Sequence, residues 1–342
     1  MSGKVFFVTL SFLLILSFKQ YSPGRPLKSI LSAFDRADHL FYSAHNTPAM
    51  DSACMEGFNK VISELNSLPI SGLTDSLLYQ ANYKLGIMSD VYKDYYKATI
   101  SYRNAMKYSK NPAEQFSLNV LAGSGYYNQN NFDSASFFLL RAEESPDEKG
   151  TFEDRVRLFN TLGVMYYDNG NYLQSKNYFT QALRLIETKN PADVFAFSLQ
   201  LNMATCYYKL GLYEQALKLY IKILKYQLLP DPLYMNMGRA YAGLHQYQAA
   251  LTSFKKVKIT AVPGVLNEMA RTALEMGDTV SASVWLHQYQ DMKKTLRTND
   301  LDDGVNELYS GDLDIFLMHP ESALSHLQKS LIIFSGNFTS RD

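Results

Sequence analysis

The feature that most constrains this chain is a set of small residues recurring in register, the mark of a structure built from stacked copies of one unit. One column reads Gly86, Gly123, Gly163, Ala204, Gly238, Ala270 and Gly311. Twelve residues after each stands a second small residue: Ala98, Ala135, Ser175, Ala216, Ala250, Ala282 and Ala323. Four further on comes a large one: Tyr102, Leu139, Phe179, Tyr220, Phe254, Leu286 and Leu327. These offsets never change, whereas successive units begin 37, 40, 41, 34, 32 and 41 residues apart. All the variation therefore lies between units.

Apolar residues spaced by three and four, such as Phe159, Leu162 and Tyr166 and then Phe179, Ala182, Leu183 and Ile186, share one face of a helix. Two helices whose backbones cross closely need residues without bulk at the crossing, with larger side chains a turn away to fill the wedges. Gly170, Gly211, Gly243 and Gly277 fall between the two stretches, where a helix is expected to end in a left-handed residue. Each unit thus predicts helix, tight turn, helix. Hairpins are expected near 28–65, 75–108, 112–143, 153–187, 193–226, 230–258, 263–292 and 303–335, the first of them degenerate. Only 18 Gly and 11 Pro in 342 residues agree with long elements and few turns.

The columns resemble the tetratricopeptide repeat family, whose pattern is a bulky residue, Leu-Gly, Tyr, then Ala, Phe and Ala at set offsets. Phe159, Leu162, Gly163, Tyr166, Phe179 and Ala182 follow it with Ser175 in place of one Ala, and Leu85-Gly86 with Ala98, Tyr102 and Ala105 is almost as close. The resemblance covers about residues 28–335 and implies an all-α, right-handed superhelical solenoid of about seven hairpins. It also implies a concave groove, lined by the first helix of each hairpin, that binds a protein or peptide segment. Carried over unit by unit, the groove residues are Tyr83, Tyr127, Asn160, Tyr167, Tyr208, Met235, Arg239, Asn267 and Arg271, with Tyr127, Tyr167 and Tyr208 following the core tyrosines of their units. The Lys/Asn clamp by which some members grip a C-terminal carboxylate is missing from these positions.

Charge and motifs narrow the function. With 33 basic and 33 acidic residues the chain has no long-range attraction for phosphate, so nucleic acid is not an expected partner. No HExxH, phosphate-binding Gly loop or CxxC occurs, so the sequence assigns no catalytic residue, no metal ligand and no cofactor. Cys54 and Cys206 lie four units apart in an array where only neighbours touch, and buried thiols are expected.

At the N-terminus Lys4 precedes an unbroken apolar run from Val5 to Phe18, with Pro23 beyond. This reads as a signal peptide over 1–22, too short for a spanning helix of roughly 20 apolar residues. Export to a periplasmic or extracellular location is expected, with membrane contact only through this segment if it is retained. At the other end the helix expected from Glu321 to Phe334 carries Leu324, Leu327, Leu331, Ile332, Ile333 and Phe334, more apolar surface than a terminal repeat normally shows. That implies either a partner or a further C-terminal domain stacking on it, or a tail that folds back over it. Ala323-Leu324 through Asn337-Phe338 also resembles the last repeat before the CHAT peptidase domain of some secreted bacterial proteins, whose Cys and His would lie beyond Asp342. The expected function is a non-catalytic binding scaffold of the cell envelope. The alternatives are the sensing region of a larger signalling or CHAT-type protein, and a helical glycan- or nutrient-binding component of an outer membrane.

Overall fold

The structure, a computed structural model, describes residues 25–43, 47–145, 150–189, 194–226, 230–295 and 300–339; the expected signal peptide lies outside them. These residues form sixteen helices and no strand. In pairs they are α1 (Arg25–Tyr42) and α2 (Pro48–Leu65), α3 (Gly72–Val91) and α4 (Tyr95–Tyr108), α5 (Pro112–Asn128) and α6 (Phe132–Glu143), α7 (Phe152–Asp168) and α8 (Tyr172–Lys189). There follow α9 (Val194–Lys209) and α10 (Tyr213–Leu224), α11 (Pro230–Gly243) and α12 (Tyr247–Phe254), α13 (Val265–Glu275) and α14 (Thr279–Lys293), α15 (Asp300–Phe316) and α16 (Pro320–Thr339). The chain divides into two compact units, the first ending at Met165 and the second beginning at Tyr166. No described helix is long and apolar enough to cross a membrane.

Both small-residue columns are buried throughout, and the glycines show why. A Cβ on Gly123 would stand 2.6 Å from Leu139 Cγ, and one on Gly311 2.9 Å from Leu327 Cδ2. On Gly86 and Gly238 it would run into the rings of Tyr102 and Phe254. The missing side chain therefore makes room for the large residue sixteen positions on, as well as for the opposing backbone. Tyr102, Leu139, Tyr220 and Phe254 are fully buried as a result, Leu139 and Phe254 each contributing roughly 1.5–3 kcal/mol of hydrophobic stabilisation.

The turns follow an equally strict rule. Seven residues after each member of the first column the backbone is left-handed: Lys93, Asn130, Gly170, Gly211, His245, Gly277 and Met318, with φ between 58° and 76°. Gly243, expected to be one of these, is instead the last residue of α11, where its bare Cα accommodates the Tyr213 ring, and His245 makes the turn. The residue after the left-handed one caps the second helix. Asp94, Asn131, Asn171 and Asp278 accept from the backbone N–H three residues on at 3.0–3.2 Å, whereas Leu212 and Gln246 offer no such bond.

Candidate functional site

The first helices expose a face whose lining is set by two register positions. At two places the residue just after the first-column glycine bonds to the residue two before the small residue of the next hairpin. In the first unit this contact is Ser124 Oγ to Thr161 Oγ1 at 3.0 Å. In the second it is Arg239 Nε donating to Glu268 Oε1 at 2.7 Å, and then Arg271 beside Tyr309.

In the second unit the contacts join into a charged ladder. Glu268 takes Arg239 on one oxygen and Arg271 on the other, the latter through Nε at 3.3 Å and Nη2 at 3.2 Å. Arg271 also donates Nη1 to Glu275 Oε1 at 2.6 Å. Burial alone would lower the Arg271 pKa, but the two carboxylates reverse this and hold the guanidinium more firmly charged. Every nitrogen of Arg271 thereby donates to a carboxylate within the chain. Arg239 differs: only Nε is engaged, its terminal amino groups have no partner among the described residues, and its side chain is 39% exposed.

Tyrosines flank the ladder. Tyr309 has its pKa pushed up to about 12, first by burial and then by Glu268. Tyr208 is raised by the same two causes in the same order. Asp312, three residues beyond Tyr309, is raised by burial, and no cation neutralises it among the described residues. Asn202 and Asn236, at the register of Glu268 and Tyr309, are half-buried, and neither amide has a partner among the described residues.

In the first unit the corresponding face is more closed. Arg157 of α7 reaches Asp90 of α3 at 3.5 Å, so first helices two hairpins apart come within ion-pair distance. Tyr83 stacks on Tyr79 with ring centroids 6.0 Å apart, and its pKa is pushed up to about 12 by burial and then by Asp154. Asn160 is half-buried on α7.

The structure redistributes the residues expected to bind. Arg239 and Arg271 are close enough to Tyr208 to act on its charge, and Tyr167, Tyr208 and Arg239 act likewise on Tyr220. Met235 and Asn267 do not join this group. They share with Tyr83 and Asn160 the register three before the small residue, and here it is buried: Met235 is in the core cluster with Phe254 and Val265, and Asn267 is 1% exposed. Asn267 donates to the Asp302 carbonyl at 2.8 Å and accepts from Asn306 Nδ2 at 2.9 Å, tying α13 to α15. Nor are the paired tyrosines free. Tyr127, Tyr167 and Tyr208 each pack on the aromatic residue that opens the second helix of the hairpin, Phe132, Tyr172 and Tyr213, at 5.9, 5.2 and 5.6 Å. Arg271 is a strut that holds Glu268, and Glu268, Tyr309 and Asp312 belong to the face although they were not among the expected groove residues. Both cysteines are buried thiols outside any disulfide, and the described residues contain no group of three or more His, Cys, Asp or Glu placed to hold a metal ion.

The Tetratricopeptide repeat family model matches residues 154–227. Among curated proteins, Anaphase-promoting complex subunit CDC16 of Saccharomyces cerevisiae is 24% identical over 147 residues, which are 43% of this chain; the match spans only 17% of that protein. Among solved structures, the apo form of RapI is 14% identical with a TM-score of 0.61, covering 91% of this chain and 86% of that one. The Pyrococcus horikoshii protein PH0952, described as a signal transduction ATPase with numerous domains carrying a tetratricopeptide repeat sensor, is 13% identical with a TM-score of 0.61. That likeness covers 96% of this chain and 56% of PH0952. At these identities the likeness to solved structures establishes the fold.

Proposed function

We propose that this chain, which carries tetratricopeptide repeats over residues 154–227 and has the tetratricopeptide-repeat fold, is a binding scaffold that holds a protein or peptide segment on the first-helix face of its second unit. The observation that carries this reading is the ladder Glu275, Arg271, Glu268, Arg239. It fixes Arg239 by one nitrogen and leaves its other two presented to solvent among half-buried tyrosines and amides. A pre-oriented guanidinium with amphipathic rings beside it suits recognition of a polypeptide, because little side-chain freedom is lost when the ligand arrives.

Selection of a displayed random peptide library against the whole chain tests it. Selected peptides should lose about tenfold in affinity on Arg239→Gln, the cost of one charge-assisted contact, and none on Ile221→Asn, which changes an exposed residue of α10. Equal affinity for all three forms would refute the site.

The apolar run Val5–Phe18 supports a place in the cell envelope, reached by export. N-terminal sequencing of the native protein after cell fractionation checks this; an intact N-terminus in the cytosol would oppose it. A second reading, the sensing segment of a larger protein, is favoured by the likeness to PH0952, of which this chain matches 56%. Detection of the native polypeptide well above 38.9 kDa would support it.

A further inference from the structure

We infer that the first-helix face of the second unit selects an extended peptide bearing two opposite charges: a carboxylate that docks on Arg239 and, about six residues along, a basic side chain that docks on Asp312. This rests on the reading of that face as a peptide-binding surface and adds the ligand's charge pattern and spacing.

Arg239, Arg271 and Asp312 occupy the same register position on α11, α13 and α15. The middle one donates from all three nitrogens to Glu268 and Glu275, so its charge is already matched within the chain. The outer two are open. Glu268 divides its two oxygens between two arginines, so the charge of Arg239 is only partly matched, and its terminal amino groups form the edge that grips a carboxylate by two parallel bonds. Asp312 is the reverse case. It has lost part of its hydration and has gained no hydrogen bond or ion pair among the described residues, and its pKa is raised accordingly. An ammonium or guanidinium brought by a ligand would restore what burial has removed. The face thus carries one unspent positive group and one unspent negative group two hairpins apart.

Packed helices lie roughly 8–10 Å apart, so α11 and α15 present these charges on the order of 20 Å from one another. An extended strand covers about 3.4 Å per residue, which places the two ligand charges about six residues apart. Asn236, one turn before Arg239 on α11, favours the extended form: its half-buried side-chain amide carries both donors and an acceptor and matches the unpaired backbone of a strand, whereas a helix has already satisfied its own.

The peptides recovered by selection on the whole chain supply the probe. Synthesised with both ends capped, they are expected to carry one Glu or Asp and one Lys or Arg five to seven positions apart. Replacing the peptide's basic residue with Glu should cost about tenfold in affinity measured by fluorescence anisotropy, and the chain variant Asp312→Lys should bind that altered peptide as well as the native pair bind each other. Misfolding cannot produce such compensation, and a circular-dichroism melt of Asp312→Lys provides a second check. Peptides that depend on Arg239 but show no paired charge, or no compensation by Asp312→Lys, would overturn this inference and leave the binding face standing. Peptides indifferent to both residues would overturn the face itself.

Discussion

Replacing Met318 with Gly should stabilise the protein, and replacing Gly277 with Ala should destabilise it, although the two residues occupy the same position of adjacent hairpins. Both backbones are left-handed, with φ of 60° at Met318 and 76° at Gly277. A residue with a Cβ costs roughly 1–2 kcal/mol in that conformation. Met318 carries the cost with little return, since its side chain is 85% exposed and has no packing to lose. Glycine removes the strain but loses more chain entropy on folding, a penalty of about 0.5–1 kcal/mol, so Met318→Gly should gain about 0.5–1 kcal/mol. At Gly277 a Cβ would meet nothing within 4 Å, so no steric clash confuses the comparison. There the strain appears in full and is offset by about 0.4–1 kcal/mol from the stiffer unfolded chain, leaving a net loss of about 0.5–1 kcal/mol. Urea unfolding followed by circular dichroism, with hydrogen exchange on the flanking helices to locate the change, measures both. Midpoints that move in the same direction would show that the left-handed turn is not what governs these positions.

Two further outcomes follow from the same structure. Leu212→Asn should raise the urea midpoint by the equivalent of about 1 kcal/mol, because α10 begins without the side-chain cap that Asp94, Asn131, Asn171 and Asp278 give their helices; an unchanged midpoint would deny caps a role in these turns. Tyr83, Tyr220 and Tyr309 have pKa values raised to about 12 by burial first, against 10.0 for an unperturbed tyrosine, so the folded state holds protons that the unfolded state releases. Their contribution is complete below pH 10 and is lost as pH rises towards 12, and Tyr309→Phe should flatten that decline; an identical alkaline unfolding curve for the variant would contradict the shift.

How much of this was legible in the sequence depended on whether the constraint was local or reached across helices. The small-residue columns were readable because a backbone crossing tolerates nothing larger, and Gly86, Gly123 and Gly238 are each filled by a side chain at a fixed sequence distance. The left-handed turn was also encoded, but by spacing and not by residue type. Gly170, Gly211 and Gly277 lie seven residues after the small residue and Gly243 only five, and the seventh position in its hairpin is His245. Chemistry favours glycine there without requiring it, so a search by residue type chose the wrong residue. The aromatic partners of Tyr127, Tyr167 and Tyr208 likewise stand five residues after each, a regularity that would have shown those rings were already engaged. The binding face was harder to read. The column containing Arg239 and Arg271 continues to Asp312 and could have been followed that far. Glu268 could not be found in this way, because nothing along the chain says that the position after one small residue touches the position two before the next. That contact depends on how successive hairpins rotate, and it decides which arginine is a strut and which is left free to bind.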